Sequence, residues 1–471
     1  MFTTTARTNN HTWLGLALLS GAVVTVSLGA VHSPFVIAGA VLGAALLAIA
    51  LMAPLALVAF MLVTGPLDLS FMTGGFKSLL PHLGGLDMNG IRLVGATAGF
   101  VAYIMFEPRS RAAAVGPLGR TWVVFLAFAA TTLGFSLDRL EGMRLLFKLA
   151  YPFLTFLIVI GVAATRERAF MLMKWTLGAA ALYTLVINPI LVANGGYYVD
   201  YQGVLRVGGM GSAPAPFAYY LLAILMMVFA RFTVRMQTSY LWFGLVLLVW
   251  IGLTGARIAA LAAVVGVGTI GVLAAKSSGN RKILVGALVA VGLSAVVAVP
   301  TVLARTFGFV PTPGELFQLV RSPVALYNSI NWGGRQLLWA LLWAAFMGSP
   351  IFGLGLGSTV AVIRESFRGG AIHNAHNDYM RLATDTGLLG LLLFLAAIGT
   401  WLVAAVRFSR SNDSAVREFA FASVGTGLAF LVVAITDNAN DYYTHLSQYL
   451  GFFLACAVIA HNDPQSRTTD S

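Results

Sequence analysis

Residues 240–257 run Tyr240-Leu-Trp-Phe-Gly-Leu-Val-Leu-Leu-Val-Trp-Ile-Gly-Leu-Thr-Gly-Ala-Arg257. No charged side chain interrupts the run before Arg257, and apolar residues do not alternate with polar ones as they would in a membrane-barrel strand. Such a stretch is a bilayer-crossing helix, for which about 20 apolar residues suffice. Working outward, the chain holds roughly fourteen runs of this kind, near 13–31, 35–49, 53–65, 90–106, 121–136, 149–165, 169–192, 217–230, 240–254, 257–275, 283–304, 387–406, 419–435 and 446–460. The sequence therefore predicts an all-α fold, a polytopic bundle of about 12–14 transmembrane spans. The third run is short enough to be re-entrant.

Composition agrees. Of 471 residues 59% are hydrophobic and 10% charged, against about 25% charged in soluble domains. The one cysteine, Cys456, lies inside an apolar run, which leaves no partner for an intramolecular disulfide. The first run follows a short polar segment containing Arg7, but it is long for a signal peptide and lacks a small-x-small cleavage pattern, so it reads as a first span. A net charge of +12 would point to nucleic acid in a soluble protein. Here the positive-inside rule accounts for most of it, and no nucleic-acid partner is expected.

Placing the N-terminus inside and alternating puts Arg109, Arg111, Arg120, Arg166, Arg168, Arg231, Arg235, Lys276, Arg407 and Arg410 in cytoplasmic segments, with both termini cytoplasmic. The long segments, 66–89, 137–148, 193–216 and above all 305–386, then fall outside. The last is too long for a connector and is expected to carry function. It divides the chain into an N-terminal bundle (1–304), a long periplasmic loop (305–386) and C-terminal spans with a tail (387–471). Within the loop, Arg335 to Met347 has a helical, almost wholly apolar pattern, with Trp332, Trp339 and Trp343 near one another, as in a helix lying on the membrane interface. No internal repeat stands out, and the spans are nearly free of ionisable residues. Both features count against a coupled transporter.

Three outer arginines stand apart by position. Arg257 sits at a tight junction between two spans, Arg206 in the Gly-rich Val204-Leu-Arg-Val-Gly-Gly-Met-Gly211, and Arg335 opens the interfacial helix. Guanidinium groups fork onto phosphate oxygens and remain charged at any relevant pH. Three of them converging would suit a lipid-linked phosphate or diphosphate, whereas each alone could be a snorkelling arginine. Gly353-Leu-Gly-Leu-Gly-Ser358 has alternating glycines, but no strand precedes it and phosphate-loop spacing is missing; tight turning is the expected role.

The stretch richest in chemistry is His373-Asn-Ala-His376-Asn377-Asp378-Tyr379, a polar segment just before a span. Two histidines three apart could bind metal, yet no cysteine helps and zinc-protease spacing is absent. Imidazole titrates near neutrality, so a general base is the better expectation. Whether His373 or His376 fills the role is not fixed by the residues alone.

These motifs together resemble the O-antigen ligase and O-antigen polymerase family of bacterial surface-polysaccharide assembly. The resemblance is carried by Leu253-Thr-Gly-Ala-Arg257, Gly334-Arg335 with Trp339, Ser349-Pro350 through Gly353-Leu-Gly355-Leu-Gly357-Ser358, and His376-Asn377-Asp378-Tyr379 with Gly387-Leu-Leu-Gly390 eleven residues after the histidine. It assigns the family histidine to His376, leaving His373 as a supporting candidate, and matches outer-face arginines to Arg206 and Arg257. It implies a glycosyltransferase without metal or other cofactor, inverting at the anomeric carbon. The donor would be an undecaprenyl-diphosphate-linked glycan, transferred outside the bacterial inner membrane to a second glycan (a polymerase) or to lipid A-core or protein (a ligase). Asn377, Asp378 and Tyr379 are expected to contact substrate or orient the base. The His-Asn-Asp-Tyr form leans toward polymerase. A carrier flippase and a chain-length regulator are expected partners. The rival from another class is a transporter or flippase of the same lipid-linked glycans.

Overall fold

The computed structural model describes residues 53–64, 107–199, 205–209, 213–278, 310–331, 334–367 and 374–463, with isolated positions between 282 and 307. The spans expected near 13–31, 35–49 and 90–106, most of 283–304, and also Trp332 and His373, lie outside the described residues.

Helices dominate. In chain order they are α1 (Pro54–Thr64), α2 (Pro108–Val115), α3 (Pro117–Thr132), α4 (Arg139–Ala163) and α5 (Arg166–Leu182). A π-helical turn, Tyr183–Ile187, continues α5 into Asn188–Ala193. Next come α6 (Pro214–Arg235), α7 (Thr238–Leu253) and α8 (Arg257–Ser278). Short helices α9 (Pro313–Arg321) and α10 (Pro323–Ser329) precede α11 (Arg335–Gly348) and α12 (Ser358–Ser366). The chain closes with α13 (Asp378–Phe408), α14 (Ser414–Thr436) and α15 (Gln448–Asn462), the last entered through a π-helical turn at Tyr443–Ser447. Eight described helices are long and apolar enough to cross a membrane, and α1 and α7 are shorter apolar helices. The protein is an all-α polytopic membrane bundle.

Helix starts follow local chemistry. Pro occupies the first turn of α3 and α6, where the missing N–H costs nothing. Asp138, Thr165, Asn377 and Asp413 cap α4, α5, α13 and α14 by accepting backbone N–H bonds that the first turn leaves orphaned. The span expected near 149–165 belongs to a helix that begins ten residues earlier: apart from Leu137 and the capping Asp138, residues 137–148 are the opening turns of α4. Arg139, Glu141, Arg144 and Lys148 depress hydropathy there, while Leu145 and Leu149 still face the core.

The centre of the bundle is α6, buried from Phe217 through Ala230. A helix apolar on all sides has to be surrounded, and α6 packs on α7, α8 and α14. In turn α14 packs on α8, α13 and α15, with α15 against α4 and α13 against α3. The links α4–α5, α6–α7 and α13–α14 share one end of the bundle. There Arg166 forks onto Asp413 (2.7 and 3.0 Å) and Arg231 and Arg235 hold buried Glu418. The opposite end carries the described parts of 194–213 and 306–377, the α7–α8 junction and the α14–α15 link.

One device shapes that second end. Gly387 leaves helical geometry (φ 66, ψ −174), breaking α13 after its ninth residue. The segment 350–355 enters the break: Leu354 N–H donates to Thr384 O (2.9 Å), Gly355 N–H to Asp385 O (2.8 Å) and Leu388 N–H to Pro350 O (2.8 Å). Backbone groups freed by the kink are thereby satisfied, as a low-dielectric setting demands. The buried Asp385 carboxylate accepts from Gly357 N–H (3.0 Å), Thr359 N–H (2.7 Å) and the Thr359 hydroxyl (2.8 Å). Tight turning is thus what the alternating glycines do.

Candidate active site

The α7–α8 junction is a sharp corner. Gly255 adopts φ 62, and the Thr254 hydroxyl closes the turn by accepting from Ala256 N–H (3.2 Å). Arg257 emerges as the first residue of α8 and donates from a guanidinium N–H to Asn331 O (3.0 Å). Arg206 reaches the same corner from a short antiparallel hairpin, β1 (Tyr197–Val199) with β2 (Leu205–Val207), and its Nε–H donates to Thr254 O (2.8 Å). Arg335, at the start of α11 behind Gly334 (φ 78), donates to Thr436 O at the end of α14 (2.7 Å). Sequences far apart therefore bring three guanidiniums to one cavity of about 410 Å³.

His376 lines that cavity with Asp437, Tyr219 and Tyr442. Its backbone sits at φ 50, a left-handed conformation uncommon outside glycine. The fold holds that strain by capping α13 with the next residue, Asn377, whose Oδ1 accepts Met380 N–H (2.9 Å). Nδ1 of His376 lies 3.2 Å from Asp437 Oδ1. A carboxylate can only accept, so a neutral ring facing it carries its proton on Nδ1 and leaves Nε2 as the basic nitrogen.

Asp437 is 6% exposed. Burial alone would raise its carboxyl, but the His376 hydrogen bond and charge, the Tyr219 hydroxyl and the Arg335 charge together hold it below the usual range. It is the one acid among the described lining residues, facing three guanidiniums, so the cavity has a positive field suited to an anion. Ile258, Leu261 and Ala215 supply an apolar wall.

The remaining motif residues turn away from the cavity. The Asp378 carboxylate, fully buried, accepts Asn440 N–H (2.8 Å), and the Tyr379 hydroxyl donates to Leu431 O (2.7 Å). Arg381 follows with an ion pair to Asp441 (3.0 Å), which also binds Lys148 (2.6 Å). One motif residue thus enters the cavity, one caps its helix and two fasten it to α14 and the link that presents Asp437. The sequence reading overlooked Asp437, Tyr219 and Tyr442. A signal existed: Asp437, Asn438, Asn440 and Asp441 crowd a short gap between two apolar runs.

A larger cavity, about 810 Å³, opens at the other end among Arg109, Leu118, Phe156, Glu167, Val458 and Asp463. Among the described residues its walls are mostly apolar and hold no histidine, and acids accompany its arginine. The chemistry favours the smaller one.

Fold and cavity together define a polytopic membrane protein with a cationic, histidine-bearing pocket at one end. Residues 242–395 match the family described as O-antigen ligase, and over that stretch the chain carries a domain of this family. The matched segment includes Arg257, Arg335 and His376, while Arg206, Tyr219 and Asp437 lie outside it. No curated protein matches the chain. The family implies membrane glycan transfer of the O-antigen ligase and polymerase type, in a multi-pass bacterial membrane protein acting on lipid-linked glycan and an acceptor.

Proposed function

We propose that the protein polymerises undecaprenyl-diphosphate-linked glycan on the periplasmic face of the inner membrane, with the 410 Å³ cavity as its active site. The observation that carries this reading is the meeting of Arg206, Arg257, Arg335 and His376 around one cavity. A donor diphosphate lies against the guanidiniums. His376 Nε2 takes the proton of the acceptor hydroxyl as that oxygen attacks the anomeric carbon, with inversion. The bond to the carrier diphosphate breaks, and the departing anion is stabilised by fixed positive charge, so it leaves without prior protonation. Asp437 holds the imidazole in the productive tautomer and supports the imidazolium that forms. Asn377, Asp378 and Tyr379 serve the site by fixing where His376 and Asp437 stand.

Transfer to lipid A-core is the second reading, favoured by the family description as ligase. Purified protein incubated with carrier-linked repeat units separates the two. Lengthening without a second acceptor is the expected outcome, and product formed only with lipid A-core overturns the polymerase reading. His376→Ala is expected to lose about 10²-fold or more in rate. A folded His376→Ala protein with full activity removes the histidine from the mechanism.

A further inference from the structure

Tyr219 lies in the second turn of α6, fully buried, and its hydroxyl donates to Asp437 Oδ2. Glycan transfer as described makes no use of it. Its neighbour Tyr220 is equally buried, yet the Tyr220 hydroxyl has no hydrogen-bond partner among the described residues. Of two adjacent buried phenols, the fold directs Tyr219 onto the carboxylate that holds His376.

The two oxygens of Asp437 have separate tasks. Oδ1 meets His376 Nδ1 (3.2 Å) and accepts Asn438 N–H (2.9 Å), and Oδ2 takes the Tyr219 hydroxyl. Asp437 itself sits in the irregular link directly after α14, and Tyr219 is the side chain that holds its Oδ2. Tyr219 belongs to the most enclosed of the described membrane-length helices, and its ring packs on Tyr442 at 5.1 Å. An irregular link is thereby tied to a fully packed helix.

We propose that Tyr219 is a positioning residue, which through Asp437 sets the orientation and proton affinity of His376. This inference rests on the base role given to His376 above. A hydroxyl donated to the carboxylate disperses its negative charge, so less remains to favour an imidazolium. Other charged or titratable groups bear on the pair. Arg335 approaches Asp437 from α11, Tyr442 from its own link and Asp378 from α13, and Arg206 and Arg257 face His376 across the cavity.

The test is the pH–rate profile of the purified protein on carrier-linked repeat units. Tyr219→Phe removes one oxygen and is expected to lower kcat about three- to tenfold with donor KM within about twofold, and to move the acid limb up by about half a pH unit. In an Asp437→Asn background the same substitution is expected to shift nothing further. Incorporating 3,5-difluorotyrosine at 219, which keeps the ring and strengthens the donor, is expected to move the acid limb down. That variant decides alone if Tyr219→Phe does not fold. An acid limb unmoved in both variants overturns the proposal, whatever happens to kcat, because a merely structural tyrosine leaves the limb in place. His376→Ala, run in parallel, separates the two claims. Full activity there sinks the base reading, whereas an inactive His376→Ala beside a silent Tyr219→Phe sinks only the tuning role.

Discussion

His376 and Asp437 are 61 residues apart in sequence and 3.2 Å apart in space. Replacing Asp437 by Asn keeps the shape but lets the amide donate, so the imidazole can turn its proton to the wrong nitrogen. We expect kcat to fall about 10²-fold or more while the donor still binds, and steady-state kinetics separates the two effects. Arg257→Lys keeps the charge and loses the fork. Donor KM should rise about tenfold, the order of one charged hydrogen bond; an unchanged KM would remove Arg257 from diphosphate binding. The arginines and His376 were legible because each is an unusual residue at a membrane edge. Asp437 and Tyr219 were not. A tyrosine inside a span looks like packing, and an acid in a short link looks like a solvated turn. Only the packing of α6 against α14 joins them.

At the scale of elements, hydropathy located the cores of the described membrane-length and shorter apolar helices, but not α2, α9, α10 or α12, and misjudged where α4 begins, since its opening turns are charged. The hairpin bearing Arg206 was invisible too, because strands of three residues leave no periodicity to detect. Gly387 was legible as part of a spacing but not as a break, since a single glycine before a leucine-rich run does not by itself mark one. The structure supplies the reason for glycine: a Cβ there would stand 2.1 Å from Ile351 O, in a conformation other residues avoid. Gly387→Ala should cost at least about 2 kcal/mol, seen as a clear fall in Tm in detergent or as loss of folded protein. A variant of unaltered Tm would mean that the inserted 350–355 segment can move aside.

For the whole molecule, orientation is open to direct measurement. Cys456 is fully buried, so new cysteines can report alone. We expect an impermeant maleimide to label Glu365→Cys in intact cells and to leave Asn412→Cys unlabelled; the reverse pattern would put the cavity on the cytoplasmic side. Asp441 ties α4 to α13 through Lys148 and Arg381. Burial alone would raise its carboxyl, yet those two cations hold it down to about 2. Its folded value lies below the ordinary one, so its stabilisation is present above about pH 4 and is lost as pH falls toward 2. Thermal unfolding in detergent between pH 7 and pH 3 should show a fall in Tm, and Asp441→Asn should flatten that dependence.

The nine residues of α13 that precede Gly387 also act as a measuring rod. Their lower end is clamped by the inserted loop and their upper end carries His376, so the height and bearing of the imidazole are counted in residues from a fixed mark. One alanine inserted between Arg381 and Thr384 would lift the histidine by about 1.5 Å and swing it by about 100°, away from Asp437 and the arginines, with every side chain of the cavity still present. The eleven-residue interval from His376 to Gly387 is in this sense a length standard, and the chemistry depends on it as much as on the residues at either end.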